Sequence, residues 1–358
     1  MVEVPATGKC VTGARRNSFH QIDILRDSSW NRELETTPGA TIFHTAEWAR
    51  VLFDCYGHTP YYYKREGNNG AVILCLAEIN SALTGRRAAS LPFADECRIL
   101  ESGRAGSNLE EVIRFAADFG REKRWKSIEI RGVPREFSEL ASFYGHELEL
   151  TKETDGLFQK CESSVRRAVR KAEKSGITVS FESGKNAIET YFRLHCLTRK
   201  KHGVPPQPFK FFEEIHRHII EAGLGFIALA RMEGRVLAGA VFFHFAGRAV
   251  YKFGASDPAR DFLRPSNLVM WSAIQRLASE GFRSLSFGRS SLHQDGLRRY
   301  KLGWGATEKS IHYLKIQIGR NDHKMSSVAP EAGSFGLLRY LPLPVLKQIG
   351  AWAYPHLG

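Results

Sequence analysis

The sequence predicts an α/β fold of the α+β type: two tandem units, each a mixed, largely antiparallel sheet flanked by helices. Three observations predict it. The 358 residues are 43% hydrophobic and 25% charged, a balance that buries real cores, and at roughly 100 to 200 residues per domain the length suits two. In each half, strand-like runs come first, then helix, strand, helix and strand, an order unlike the strict alternation of a doubly wound sheet. That order also repeats at an offset of about 160 residues. Ser107-Asn108-Leu109 opens SNLEEVIRFAADFGREKRW ahead of KSIEIRG, and Ser266-Asn267-Leu268 opens SNLVMWSAIQRLASEGF ahead of RSLSFGR. An aromatic-glycine pair, Tyr144-Gly145 or Trp304-Gly305, precedes each final strand.

The elements follow in order. Residues 1–20 read as a loose polar arm. TAEWARVLFDCYG sets Trp48, Val51, Leu52, Cys55 and Tyr56 at helical spacing, and Gly57 stops the helix. Strands are expected at 61–65, 71–79 and 86–91, a helix at 109–124, a strand at 126–130, a helix near 135–143 and a strand at 146–150, which makes 21–155 the first unit. The second unit, 156–320, opens with a basic helix and two further helices near 186–201 and 209–221. FIALAR, VLAGAVFFHF and AVYKFGAS, joined by turns at Glu233-Gly234 and Gly247, form an antiparallel meander. Pro265-Ser266 caps the helix 267–280, aiming its first amides toward the sheet edge where a ligand could sit. The apolar, aromatic tail 321–358 either packs on the second unit or touches the inner face of a membrane with Trp352 and Tyr354 at the interface.

The net charge is +13, so an anionic partner is expected. Residues 158–202 hold eleven Lys or Arg against four Glu. In SVRRAVRKAEK the cations Arg166, Arg167, Arg170, Lys171 and Lys174 line one face, either a solvated surface or a site for the phosphates of RNA or a nucleotide-linked substrate. Arg199, His202 and Lys210 crowd the Pro205-Pro206 turn, which is either a charged connector or a rigid seat for phosphate or carboxylate. The six cysteines show no paired spacing, no run reaches the length of a membrane span, and the N-terminus lacks a signal-peptide core; a reduced cytoplasm is expected. Nucleophile elbows, zinc motifs, Walker A and G-x-G-x-x-G are absent, and no metal is expected.

SFGRSSLHQDGLRRYKLGWGA places Arg289 and Ser290 at a strand end and Arg298, Arg299 and Lys301 on the next helix. In the first half Ala141 aligns with Lys301, so the reaction site is expected in the second half, with the first as scaffold or cleft wall. Lys301, flanked by Tyr300 and Leu302 and close to Trp304, is the cation expected to be enclosed.

FHTAEWARVLFDCYGHTPYY, SVRRAVRKAEKSGITV, RPSNLVMWSAIQRLASEGFRSLSFGRS and GLRRYKLGWGA, in that order over about residues 40–318, resemble the Fem-type (FemABX) peptidyltransferases of the GNAT acyltransferase superfamily. The similarity is greatest to the shorter FemAB-like, BioF2-like acetyltransferase-domain proteins. It implies tandem GNAT-like domains and transfer of an acyl or aminoacyl group from an activated donor to an amine. The donor would be aminoacyl-tRNA, acyl-CoA or acyl carrier protein, with no tightly bound cofactor; the acceptor would be a nucleotide-linked or lipid-linked precursor of peptidoglycan or exopolysaccharide. Y-K-x-G-W-G matches the family's F-K-x-G-x-G, whose lysine lies near the reaction centre, which assigns that role to Lys301. Arg289 and Ser290 would assist it, with Arg199, His202, Lys210, Tyr251, Asn267 and Arg298 binding substrate. The sequence departs from the family where a pyrophosphate loop is due: ARDFLRPS (259–266) has no glycine, leaving Arg260 and Arg264 to supply contacts through side chains. A non-catalytic RNA- or polyanion-binding protein on the same scaffold is the alternative.

Overall fold

A computed structural model describes residues 18–67, 70–103, 109–138, 142–320, 322–328 and 336–357. Most of the expected arm, together with Ser107, Asn108 and Ala141, lies outside them. The first half contains β1 (His20–Ile22), α1 (Trp30–Glu35), α2 (Ala46–Tyr56), β2 (Thr59–Gly67), β3 (Gly70–Ser81), β4 (Gly85–Ala89), β5 (Leu100–Gly103), α3 (Leu109–Glu122), β6 (Ser127–Val133) and β7 (Phe143–Glu149). The second contains α4 (Thr154–Lys160), α5 (Ser163–Lys174), β8 (Thr178–Glu182), α6 (Lys185–Lys201), α7 (Phe209–Ile215), β9 (Gly225–Met232), β10 (Arg235–Phe245), β11 (Arg248–Ser256), α8 (Pro265–Ser279), β12 (Ser284–Ser290), α9 (Asp295–Leu302), β13 (Thr307–Ile318), β14 (His323–Ser327) and α10 (Leu343–Ala353).

Local chemistry sets the ends of these elements. Thr45 caps α2 through its side chain and Gly57 closes it at a φ of 71°. The helix expected near 135–143 is a correction: Arg135–Phe137 make one 3-10 turn, and by Phe143 the chain is already in β7, paired to β12 and β13. Non-local strand pairing overrides the helical pattern there. Tyr144-Gly145 consequently lies inside β7, whereas Trp304-Gly305 lies in the turn before β13, so the two pairs do not occupy matching places.

All described strands join one sheet, in the order β1-β2-β3-β4-β6-β13-β7-β12-β11-β10-β9-β8, with β5 and β14 beside β3 and β13. The order reveals an exchange. β4 runs parallel to β6 as β11 does to β12; β6 then pairs antiparallel with β13, and β12 with β7. Each half therefore lends its last strand to the other, and the lent strands pair with one another. On one face a core of α2, α6 and α7 packs on β10 and β11; on the other, α5 and α8 cover the meander around Trp271 and Trp304.

Candidate active site

β11 and β12 pair over only Arg248–Val250 and Ser284–Ser286, then separate. Beyond the separation β12 breaks register with β7 between Ser286 and Arg289, and Gly288 takes a φ of 70°. A side chain there is strained, and its Cβ, 2.5 Å from Asp95 Oδ2, would force that carboxylate to shift. Above this irregularity, between the sheet of the second half and segments 39–44 and 95–98 of the first, is a cavity of about 200 Å³. Asp95, Glu96, Glu147, Arg248 and Lys309 line it together with Gly288.

The opening between β4 and β6 in the first half has been closed. Those strands pair only at Ala88–Ile128 and Ala89–Glu129, after which Leu91 and Phe93 adopt φ of 57° and 61° and the chain folds back into the gap. Arg131, itself buried, fixes this plug by donating to the carbonyls of Leu91 (3.3 Å) and Ala94 (3.0 Å), with Glu129 neutralising it at 2.8 Å. The plug carries Asp95 across to the second half. Its carboxylate stands 3.7 Å from Arg289 Nε, and its carbonyl accepts a hydrogen bond of 2.5 Å from the Tyr313 hydroxyl. Arg289 lies over the Phe143 ring at 4.0 Å and donates to the Tyr313 hydroxyl at 2.9 Å.

Lys301 is enclosed as expected, 3% exposed, yet it does not line the cavity. Its ammonium donates to the carbonyls of Gly288 (3.1 Å) and Arg289 (2.8 Å), bracing the strand irregularity from the α9 side. Burial pushes its pKa down to about 8; Asp95 pulls it up and Arg289 adds to the depression. Beside it, His146 and Glu308 also face α9: His146 Nε2 is 2.9 Å from Glu308, which Arg298 grips through two bonds of 3.0 and 2.9 Å while lying over Tyr144. Ser290 is buried, with its hydroxyl unpartnered among the described residues.

The remaining expected site residues disperse. Arg199 is committed to the Tyr354 hydroxyl (2.6 Å) and the Pro205 carbonyl, while His202 and Lys210 are exposed and away from the cavity. Tyr251 packs against Phe242 and Phe287 with its hydroxyl against Gly254, next to the β11–β12 separation. α8 starts at Pro265, so Pro265-Ser266 are its first residues and not its cap; Asn267 lies in the first turn, its backbone amide donating to the carbonyl of Arg264, which holds a φ of 62° after a 3-10 turn (Pro258–Leu263) where a glycine loop would be. On α5, Val165, Val169 and Ala172 are buried; Arg166 caps the carbonyls of Gln159 and Cys161, Arg167 bonds Ser163, Arg170 covers Phe158, and Lys171 and Lys174 face solvent. Asp54, Glu214 and His218 converge between α2 and the turn after α7, as ion pairs of 2.7 and 3.4 Å from His218.

Sequence reasoning missed Asp95, Glu96, Glu147, Arg248 and Lys309. Strand alternation in HELEL, and in the strand after the Lys301 motif, could have indicated Glu147 and Lys309; LPFADECR carries no periodicity to mark Asp95.

Residues 159–308, from α4 to the start of β13, match the family model for the acetyltransferase (GNAT) domain. This stretch is a GNAT acetyltransferase domain, and the protein is an acyltransferase. Its fold is that of FemX, with a TM-score of 0.63 at 14% identity over 82% of this chain and 95% of FemX. A tandem GNAT protein from the clavulanic acid biosynthesis pathway gives 0.53 at 9% identity, covering 85% and 99% of the two chains. The C-terminal domain of a protein from Agrobacterium fabrum described as a lysylphosphatidylglycerol synthetase gives 0.52 at 14%, covering 76% and 88%. No curated protein matches in sequence. The tandem GNAT fold expected from the sequence thus holds, and the likeness to FemX is one of fold.

Proposed function

We propose that this GNAT protein transfers an acyl or aminoacyl group from an acyl thioester or an aminoacyl-tRNA to an amine of a cell-envelope or polysaccharide precursor. The cavity at the β11–β12 separation carries the reading. An acceptor amine arrives as an ammonium ion and must lose a proton before it attacks; Asp95, Glu96 and Glu147 supply the complementary charge. One ammonium proton is released to solvent, the amine nitrogen bonds to the donor carbonyl, the C–S or C–O bond breaks, and a second proton on that nitrogen passes through Asp95 to the leaving sulfur or oxygen. Arg289, beside Asp95, stabilises the developing oxyanion, and Lys301 positions Arg289 through the backbone it braces. The two substrates approach from opposite faces of the sheet. Lys171, Lys174, Arg264 and Asn267 take the donor's phosphates on the α8 side, through side chains because the turn before α8 lacks glycine. FemX and the lysylphosphatidylglycerol synthetase domain, whose name describes an aminoacylated lipid, support an envelope acceptor.

The test supplies purified protein with aminoacyl-tRNA or with acyl-CoA, each with a panel of amine acceptors, and follows acceptor mass. Transfer from one donor that falls in Asp95→Asn is expected. Transfer from neither, or full activity in that variant, overturns the reading.

A further inference from the structure

The C-terminal segment presents a surface that the transfer chemistry leaves unused. Five large apolar side chains stand exposed between residues 337 and 357: Leu337 (83%), Tyr340 (71%), Val345, Trp352 (62%) and Leu357. They belong to a 3-10 turn (Gly336–Tyr340) and α10. On α10 the inner face is fixed: Leu346 and Gly350 are buried, and a Cβ at Gly350 would fall 1.9 Å from the Pro206 carbonyl. Helical spacing puts Val345, Gln348 and Trp352 on the opposite face.

This surface is held rigidly. The Tyr354 hydroxyl donates to the Pro205 carbonyl (3.2 Å) and accepts from Arg199; the Pro355 carbonyl is 3.2 Å from His58 Nε2, and the His356 carbonyl accepts from Arg87 at 3.0 Å. Both halves therefore anchor the segment while the five apolar side chains named above stay exposed.

Charge selects what covers it. No acidic residue follows Glu331, while Arg339 and Lys347 stand exposed among the apolar groups. The 336–340 turn and α10 pack beside α6, whose outer row adds Arg193, exposed Leu197 and Lys200; Glu189 is the acidic group of that row. A symmetric pairing of two copies through this surface would set these cations against their own counterparts. An anionic surface complements them, and apolar groups ringed by cations are the pattern of an interfacial anchor. No helix among the described residues is long and apolar enough to cross a membrane.

We propose that Gly336–Leu357 seats the protein on an anionic lipid bilayer, with Leu337, Tyr340, Val345 and Trp352 at the acyl–headgroup boundary and Arg339 and Lys347 among the phosphates. The inference is independent of which donor and acceptor the active site uses.

Sedimentation of the full chain with phosphatidylcholine vesicles, with and without phosphatidylglycerol, at low and high salt tests it. Binding should be about tenfold or more stronger to the anionic vesicles and weaken with salt. The double variant Tyr340→Glu/Trp352→Glu should lose about tenfold or more while keeping the melting temperature of the parent. Arg339→Glu/Lys347→Glu provides a second reading that leaves the apolar groups in place, and it too should release the protein. Equal binding to neutral vesicles, or binding that neither double variant reduces, overturns the proposal. So does a lack of vesicle binding accompanied by self-association that Tyr340→Glu/Trp352→Glu abolishes, which would make the surface a contact between copies.

Discussion

At Lys301 the ammonium group has two carbonyl partners and almost no exposure. Replacing it with methionine keeps the volume but leaves two carbonyls short of a donor, and should cost about 1–3 kcal/mol of stability by denaturant titration. Because the brace sets Gly288 and Arg289, kcat should fall more than KM rises; a variant with wild-type kcat would separate Lys301 from the chemistry. Its pKa gives a second readout. The folded value is about 8 against 10.5 for an ordinary lysine, so between those values the unfolded chain binds more protons and stability from this group rises with pH. Below about pH 8 both states are protonated and the contribution is flat. In Lys301→Met the rise from pH 8 to about 10 should vanish. Asp95→Asn, which keeps shape but cannot accept the proton, should lower kcat by about a hundredfold at unchanged melting temperature. The enclosure of Lys301 was legible in its aromatic neighbours Tyr300 and Trp304. Its distance from the cavity was not, because carbonyl partners twelve and thirteen residues away leave no mark in a sequence.

Helices with local punctuation were readable: Thr45 and Gly57 delimit α2, and alternating β-branched and aromatic residues with two tight turns delimit the β9–β11 meander. Where an element owes its extent to a distant partner, the sequence was less explicit: it marked the strand at 146–150 but not the start of β7 at Phe143, which pairing with β13 brings forward. The cluster of Arg199, His202 and Lys210 misled for a related reason. Its prolines do make a rigid turn, but what they receive is the chain's own C-terminus, through Tyr354 and Gly350. Gly350→Ala therefore drives a methyl group into the Pro206 carbonyl and should cost about 1–3 kcal/mol, against the gain in helix propensity the same change gives elsewhere. Thermal unfolding checks the sign; a more stable variant would mean that α10 sits further from the turn.

For the whole molecule, the tandem repeat was visible in the Ser-Asn-Leu helices and the strands after them, while the exchange of last strands was not, since pairing partners lie far apart in sequence. Neither half has a complete sheet of its own. Residues 21–155 and 156–358 produced separately should each remain unfolded or insoluble, and co-production should restore a soluble pair; autonomous folding of either, seen as a cooperative melt, would contradict this. The exchange also dictates how substrates enter. Two lobes on a flexible connector admit ligands by swinging apart, but here any swing would break the β7–β13 ladder at the middle of the sheet. For the proposed acceptor, entry on the cavity side falls instead to the small pieces laid over the sheet, residues 39–44 and the plug bearing Asp95. Selectivity then resides in a threshold a few residues wide, which point substitutions can retune without disturbing the frame.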